Sequence, residues 1–276
     1  MEISSAQNPR IKHLLLLQQK SQQRRKEGLF VVEGVRELQH CIEAGFEIDS
    51  LFVCEEMDPP LTPPCREGNV FSLPRQLYEK VAYRGSTEGV IAIIKERKMT
   101  LTDLVSHLSP LTSHHSPLII VLEGVEKPGN LGAVLRSADA AKADAVIVCD
   151  PLTDLYNPNL IRASIGAIFT VPTVACSSEE CIAFLKEHGI RILTAQLQDS
   201  KLYYDTDMCS PVAIVMGTES TGLTQQWREA ADAHIRIPML GRLDSLNVSV
   251  SAAILLFEAV RQRSSLPSSP SQERED

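Results

Sequence analysis

Three short segments in the C-terminal half of the chain hold the residues best suited to chemistry. In residues 237–249, Pro238 and Gly241 keep the backbone irregular, and Ser245 and Asn247 stand where the unpaired amides of an apolar, helix-patterned run at 248–260 begin. In residues 121–139 an apolar run feeds the turn Pro128-Gly129-Asn130, and the helical stretch that follows carries Arg136 six residues after Asn130. In residues 213–223 another apolar run ends at Met216-Gly217, and Glu219 follows. Glycine and irregular loops leave amides and carbonyls free for a ligand, and arginine is a permanent cation. Each junction alone is common in α/β proteins, and an ordinary capped loop is its plain reading; the three in this order are specific. Gly129-Asn130-Leu131-Gly132 lacks the third glycine of the dinucleotide fingerprint, and no Gly-Lys-Ser/Thr phosphate loop occurs, which argues against an NAD or ATP enzyme.

The elements that must position these loops alternate. Apolar strands at 118–122, 145–149, 170–174, 191–195 and 212–216, separated by helical stretches, predict a parallel sheet covered on both faces. Upstream, a helix at 9–23, a strand at 29–32, a helix at 33–44 closed by Gly45, and strands at 48–54 and 89–95 make a smaller α/β unit, with a Pro-rich loop at 58–64. The pattern breaks at 99–116, where Ser-Pro and His-His sequences interrupt it. The predicted organisation is therefore 1–98, a linker at 99–116, a larger domain at 117–263, and a disordered Ser- and Pro-rich tail at 264–276.

The 276 residues carry a net charge of −8, which does not by itself suggest nucleic acid. The distribution is uneven: residues 1–98 are neutral, and residues 1–28 are net +4 through Arg10, Lys12, Lys20, Arg24, Arg25 and Lys26 against Glu2 and Glu27. On charge alone this is equally a solvated helix face. Seven cysteines, an odd number without a CxxC pair, read as reduced thiols, several of them small core residues, rather than as disulfides or a zinc site. His114 and His115 have no partner at ligand spacing, so no metal is expected. No apolar run approaches the roughly 20 residues of a membrane helix, and the N-terminus lacks a signal-peptide pattern, which together predict a cytoplasmic protein.

On its three loops the chain resembles the SpoU (TrmH-type) RNA methyltransferases of the SPOUT superfamily, and the resemblance covers nearly the whole sequence. Residues 156–169 look like the family's connecting segment and residues 30–37 like its N-terminal substrate-domain signature. Departures are mild: Ser137 stands for a frequent threonine, Ala141-Lys142-Ala143 replaces a more usual Phe-Gly pair, and Ser220-Thr221 replaces a pair that commonly contains glycine. The resemblance implies an α/β fold of SPOUT type, a doubly wound parallel sheet with a C-terminal deep trefoil knot, plus a smaller ribosomal-protein-like domain that grips RNA. It also implies a homodimer with the site near its interface, and S-adenosylmethionine as cofactor. Met216, Gly217, Ile237, Met239 and Leu246, with Thr194 and Ala195, are then expected to form the cofactor pocket, and Glu219 to bind ribose hydroxyls or tie the loops together.

Arg136 becomes the candidate catalytic residue. It is expected to hold the target phosphate and stabilise the developing alkoxide, or to share in removing the proton of a ribose 2′-hydroxyl. Asn130 is expected to orient Arg136 or the ribose, and Ser245 with Asn247 to position the target or the methionine part of the cofactor. Glu123 and Arg162 rank lower, as structural or RNA-facing residues. The basic residues Arg10, Lys12, Arg24, Arg25 and Lys26 turn from a plain charged face into expected RNA contacts. Ribosomal RNA is favoured over transfer RNA by the two-domain layout. Two other readings stay open: a base-directed RNA methyltransferase, and a non-catalytic RNA-binding or ribosome-assembly protein.

Overall fold

The computed structural model describes residues 1–57, 69–83, 88–108, 116–218 and 220–264. The Pro-rich loop at 58–64, Cys65, His114 and His115, Glu219 and the tail beyond Ser264 lie outside the described residues.

The first unit contains α1 (Pro9–Gln19), α2 (Ser21–Glu27), β1 (Leu29–Glu33), α3 (Val35–Glu43), β2 (Ile48–Val53), β3 (Val70–Ser72), α4 (Arg75–Val81) and β4 (Val90–Lys95). Its sheet has the order β1-β4-β2-β3, with β4 antiparallel to β1 and β2 and with β3 parallel to β2. The helix expected at 9–23 is two helices. Lys20 is extended, and the carbonyls of Leu17 and Gln18, freed at the end of α1, accept from the Arg24 guanidinium at 2.5 and 3.1 Å. The helix expected from residue 33 starts at Val35, because Glu33 still pairs in β1 and Gly34 turns the chain at φ 96°.

The second unit runs through α5 (Leu101–Leu108), β5 (Leu118–Glu123), α6 (Pro128–Ala140), β6 (Ala145–Cys149), α7 (Pro158–Ser164), α8 (Ala167–Thr170), β7 (Thr173–Cys176), α9 (Ser178–Glu187), β8 (Arg191–Ala195), β9 (Lys201–Leu202), β10 (Val212–Met216), α10 (Gln225–Ala230), β11 (Ala233–Arg236) and α11 (Val248–Ser264). The sheet order is β7-β6-β5-β10-β8-β11-β9, and every pairing is parallel. Alternation along β5 shows why both faces must be covered. Leu118, Ile120 and Leu122 join a core with residues of α6 and α11, while Ile119 and Val121 join another with residues of α5, α9 and α10. The strand expected at 170–174 starts at Thr173, since Thr170 closes α8 and Pro172 has no amide to give. Inside the stretch read as a linker, Leu101, Leu104, Val105 and Leu108 follow helical spacing, and α5 buries Leu104 and Leu108 in the second core.

The two units share one apolar cluster. Phe30 of β1 stacks on Tyr156 at 4.2 Å between ring centroids, and the Tyr156 hydroxyl donates to the Arg97 carbonyl at 2.7 Å. Beside this joint the Arg24 guanidinium donates to the Asp154 carboxylate at 2.6 Å, with side chains 4 % and 9 % exposed. Arg24 therefore leaves the set of expected RNA contacts, because its cation is turned inward to bind the two units together. Arg24→Ala strands a buried carboxylate and is expected to cost about 3–5 kcal/mol of stability, read from urea unfolding midpoints.

Glu33, near the same joint, accepts from Gln18 Nε2 at 2.6 Å and from the Tyr83 amide at 3.0 Å. Burial nevertheless pushes its carboxyl up to about 7, from an ordinary value of 4.5. The folded state keeps a proton there that the unfolded chain has already lost. The contribution to stability is full below the unfolded value and is lost as pH rises through about 7. Glu33→Gln is expected to flatten that slope, measured as the change in urea midpoint between about pH 5 and about pH 8; an unchanged slope would remove Glu33 as its source.

Candidate functional site

The three loops leave the carboxyl ends of β5, β10 and β11. After β10, Gly217 enters a turn so tight that a Cβ on it would lie 2.3 Å from the carbonyl carbon and oxygen of Gly222 and 2.5 Å from the Leu223 amide. Thr218 holds the turn: its Oγ1 accepts from the Thr221 amide at 3.0 Å and contacts the Thr221 hydroxyl at 2.7 Å. Gly222 takes the left-handed conformation, φ 68°, that closes the loop.

The loop after β11 ends on α11. Asn247 Oδ1 accepts from the Ser249 amide at 2.9 Å and from the Ser249 hydroxyl at 2.6 Å, so Asn247 is the N-cap of that helix. Its Nδ2 donates to Asn130 Oδ1 at 3.2 Å. Two asparagines 117 residues apart thus join the third loop to the first turn of α6.

Between the second and third loops and the end of β8 lies an open cavity of about 380 Å³. Six of the eight residues expected in a cofactor pocket line it: Ala195, Met216, Gly217, Ile237, Met239 and Leu246; Ser245 lines it as well. A smaller cavity of about 150 Å³ adjoins it, shares Gly217, Thr218, Ser220 and Val248, and reaches Asn130 and Lys127. Thr194 is not in either wall. It is fully buried, and its hydroxyl meets His234 Nδ1 at 2.6 Å, pinning β11 to β8 behind the cavity. Arg136 lies on the exposed side of α6, with its guanidinium engaged by no described side chain. The helix that carries it is held by buried Leu131, Val134, Leu135 and Ala138 and by Gly132, whose position is so close to α7 that a Cβ would sit 2.6 Å from that of Ala163.

Gln196 and Arg228 were not singled out in the sequence, and both line the larger cavity. Gln196 Oε1 and Arg228 Nε are, among the described residues, the buried side-chain polar atoms that lack a hydrogen-bond partner. An acceptor and a donor left unpaired in the wall of one cavity, beside a backbone turn that excludes even a methyl group, fit a ligand with both hydrogen-bonding edges and a flat apolar part. S-Adenosylmethionine is such a ligand. No local pattern marks Arg228: it falls in an ordinary helical stretch, and only the fold brings it to the loops.

Behind the cavity, Glu123 at the end of β5 is 5 % exposed and accepts from the Thr224 amide at 2.9 Å and its hydroxyl at 2.7 Å. Ser178 Oγ donates to Asp150 Oδ2 at 2.6 Å and accepts from Trp227 Nε1 at 2.9 Å. Glu123 is thus a structural anchor of the second loop. Of the basic N-terminal residues, Lys12, Arg25 and Lys26 are exposed, as is Arg10, whose guanidinium lies 4.3 Å above the Phe71 ring.

Residues 117–257 match the profile described as the SpoU rRNA Methylase family, and residues 8–92 match that of an MRM3-like substrate binding domain. The 23S rRNA (guanosine-2′-O-)-methyltransferase RlmB of Vibrio parahaemolyticus is 36% identical over 196 residues, covering 71% of this chain and 78% of that protein. A crystal structure of an RNA 2′-O ribose methyltransferase superposes with a TM-score of 0.76 at 38% identity, over 95% of this chain and 99% of that one. An AdoMet-bound rRNA methyltransferase from Sinorhizobium meliloti superposes with a TM-score of 0.84 at 29% identity, over 95% of this chain and 97% of that one.

Proposed function

This chain belongs to the SpoU rRNA methylase family, and from that premise we propose that it transfers the methyl group of S-adenosylmethionine to a ribose 2′-hydroxyl of ribosomal RNA, with guanosine as the favoured nucleoside. The observation that carries the reading is that the second and third loops line one cavity, while the first loop lines the adjoining one and is tied to the third by the Asn247–Asn130 bond. The guanosine and the ribosomal RNA are drawn from what the RlmB relative acts on.

S-Adenosylmethionine, when bound, supplies a methyl group activated by a sulfonium. The protein's part is to bind, orient and manage one proton. Ala195, Met216, Gly217, Ile237, Met239 and Leu246 hold the adenosine part through backbone groups and apolar walls, and Gln196 and Arg228 offer the open acceptor and donor. Arg136 holds the phosphate next to the target and stabilises the alkoxide as its proton leaves. Asn130 orients the ribose, and Asn247 orients Asn130 through their direct bond. Ser245 faces the cofactor cavity and positions the methionine part. Lys12, Arg25, Lys26 and Arg10 extend an RNA-contacting face over the N-terminal unit, and these contacts predict binding that weakens with salt.

We place the enzyme in the cytoplasm, where its RNA substrate is made; among the described residues no helix is long and apolar enough to cross a membrane. We also propose a homodimer. Val250 and Phe257, 47 % and 48 % exposed and two turns apart on α11, give that helix an apolar outer face beside the site. Sedimentation analysis showing only a monomer would reject it.

The substrate assignment is tested by labelled methyl transfer from S-adenosylmethionine to size-fractionated RNA of a strain lacking this protein. Incorporation into the large ribosomal RNA is expected, and incorporation into transfer RNA alone would overturn it.

A further inference from the structure

The cysteines are scattered in the sequence, yet three of them meet. Cys149 ends β6 and Cys176 ends β7, and the two are paired in register across these neighbouring parallel strands. Cys181 comes over them from the first turns of α9, whose start is fixed by a capping box between Ser177 and Glu180. The three sulfur atoms all lie within 4.8 Å of one another. We propose that Cys149, Cys176 and Cys181 form a three-thiolate site for a soft, thiophilic d10 cation, of which copper(I) fits best.

A thiolate-bound ion of this kind sits about 2.3 Å from each sulfur, so three sulfurs around it in one plane stand roughly 4 Å apart. The observed triangle needs only a slight contraction, within side-chain freedom. Thiolates select soft ions. Zinc ordinarily takes four protein ligands in a closed site, and no fourth His, Asp or Glu donor joins this group among the described residues. Three donors suit copper(I). Access exists, because β7 is the edge strand of the sheet and Cys176 is only partly buried, whereas Cys149 and Cys181 are fully buried.

Core filling alone is illustrated elsewhere in the chain by Cys41 and Cys54, each buried in a separate apolar cluster. The trio is a different arrangement, since its sulfurs face one another. A bound ion ties β6, β7 and α9 together next to Asp150, which is bonded to Ser178 and through it reaches the anchor behind the cofactor loop. Its expected effect is mechanical, a clip on that corner of the sheet.

The test is an anaerobic titration of the reduced protein with copper(I) held by bicinchoninate as a competing chromophoric chelator. One equivalent is expected to bind with near-ultraviolet sulfur-to-copper charge transfer and a rise in melting temperature. Cys176→Ser, at the half-buried position that tolerates a hydroxyl, is expected to weaken binding by at least about a hundredfold. Cys209→Ser, a half-buried cysteine outside the trio, is expected to bind like the wild type. Equal uptake by the wild type and Cys176→Ser, or no uptake by a wild type of normal melting behaviour, would overturn the site. Binding of zinc(II) in preference to copper(I) would overturn the three-coordinate assignment.

Discussion

Replacing Arg136 by alanine is expected to slow methyl transfer by about a hundredfold to a thousandfold while leaving the affinity for S-adenosylmethionine unchanged. The two halves of this result have separate physical origins. Arg136 lines neither of the two cavities proposed for the cofactor, so binding there has no contact to lose. Its guanidinium is exposed and engaged by no described side chain, on a helix whose opposite face is fully packed. Removal therefore leaves no buried partner stranded and opens no hole, and the melting temperature is expected to stay within a degree or so. What disappears is a fixed cation at the substrate. Arg136→Lys is expected to recover little, because a lysine offers a point charge where a planar fork can grip a phosphate by two bonds. Single-turnover rates with saturating cofactor, beside calorimetric binding, separate these effects. A variant that loses cofactor affinity and keeps its rate would place Arg136 in the wrong role.

The second large effect is expected at Gly217. A valine there forces its Cβ to 2.3 Å from the Gly222 carbonyl and 2.5 Å from the Leu223 amide, distances at which something must move. The neighbours are backbone atoms, so no flexible side chain can give way, and the Thr218–Thr221 turn must open. Since that turn forms one wall of the cavity, cofactor affinity is expected to fall by more than about a hundredfold, the loss of roughly 3 kcal/mol. Gly129 is the control. Nothing lies within 4 Å of a Cβ built at that position, and Gly129→Ala is expected to bind as the wild type does. Unaltered cofactor affinity of Gly217→Val by calorimetry would remove the cofactor from this cavity.

The sheet of the second unit was legible in the sequence because its strands are buried on both faces, and runs such as 118–122 and Val212–Met216 read as continuous apolar stretches. Its short members were not. β11 mixes His234 and Arg236 with apolar residues, and β9 has only two residues, so neither has a pattern of its own. The helix α5 was hidden by its surroundings of Ser, Pro and His. Six of the residues expected in the cofactor pocket, read from loop chemistry and family resemblance together, line one cavity. Of Thr194 and Ala195, expected together in the pocket, only Ala195 lines the cavity: side chains alternate along a strand, and Thr194 meets His234 instead.

Tertiary partners account for the remaining differences. Arg24 looks like its neighbours Arg25 and Lys26, and only the approach of Asp154, 130 positions away, turns it into an internal tie. Gln196 and Arg228 are brought to one cavity by the fold, each leaving one buried atom without a partner. The cysteine trio belongs to the same class, since register between two strands and a capped helix brings it together.

The most direct measurement is the position of the transferred group. RNA from a strain lacking this protein is incubated with the purified enzyme and S-adenosylmethionine carrying a deuterated methyl group, digested to nucleosides, and resolved by mass. The account predicts the label on the ribose, in 2′-O-methylguanosine, formed by Arg136→Ala about a hundredfold to a thousandfold more slowly. A label carried on the base, with the ribose unmodified, would contradict it.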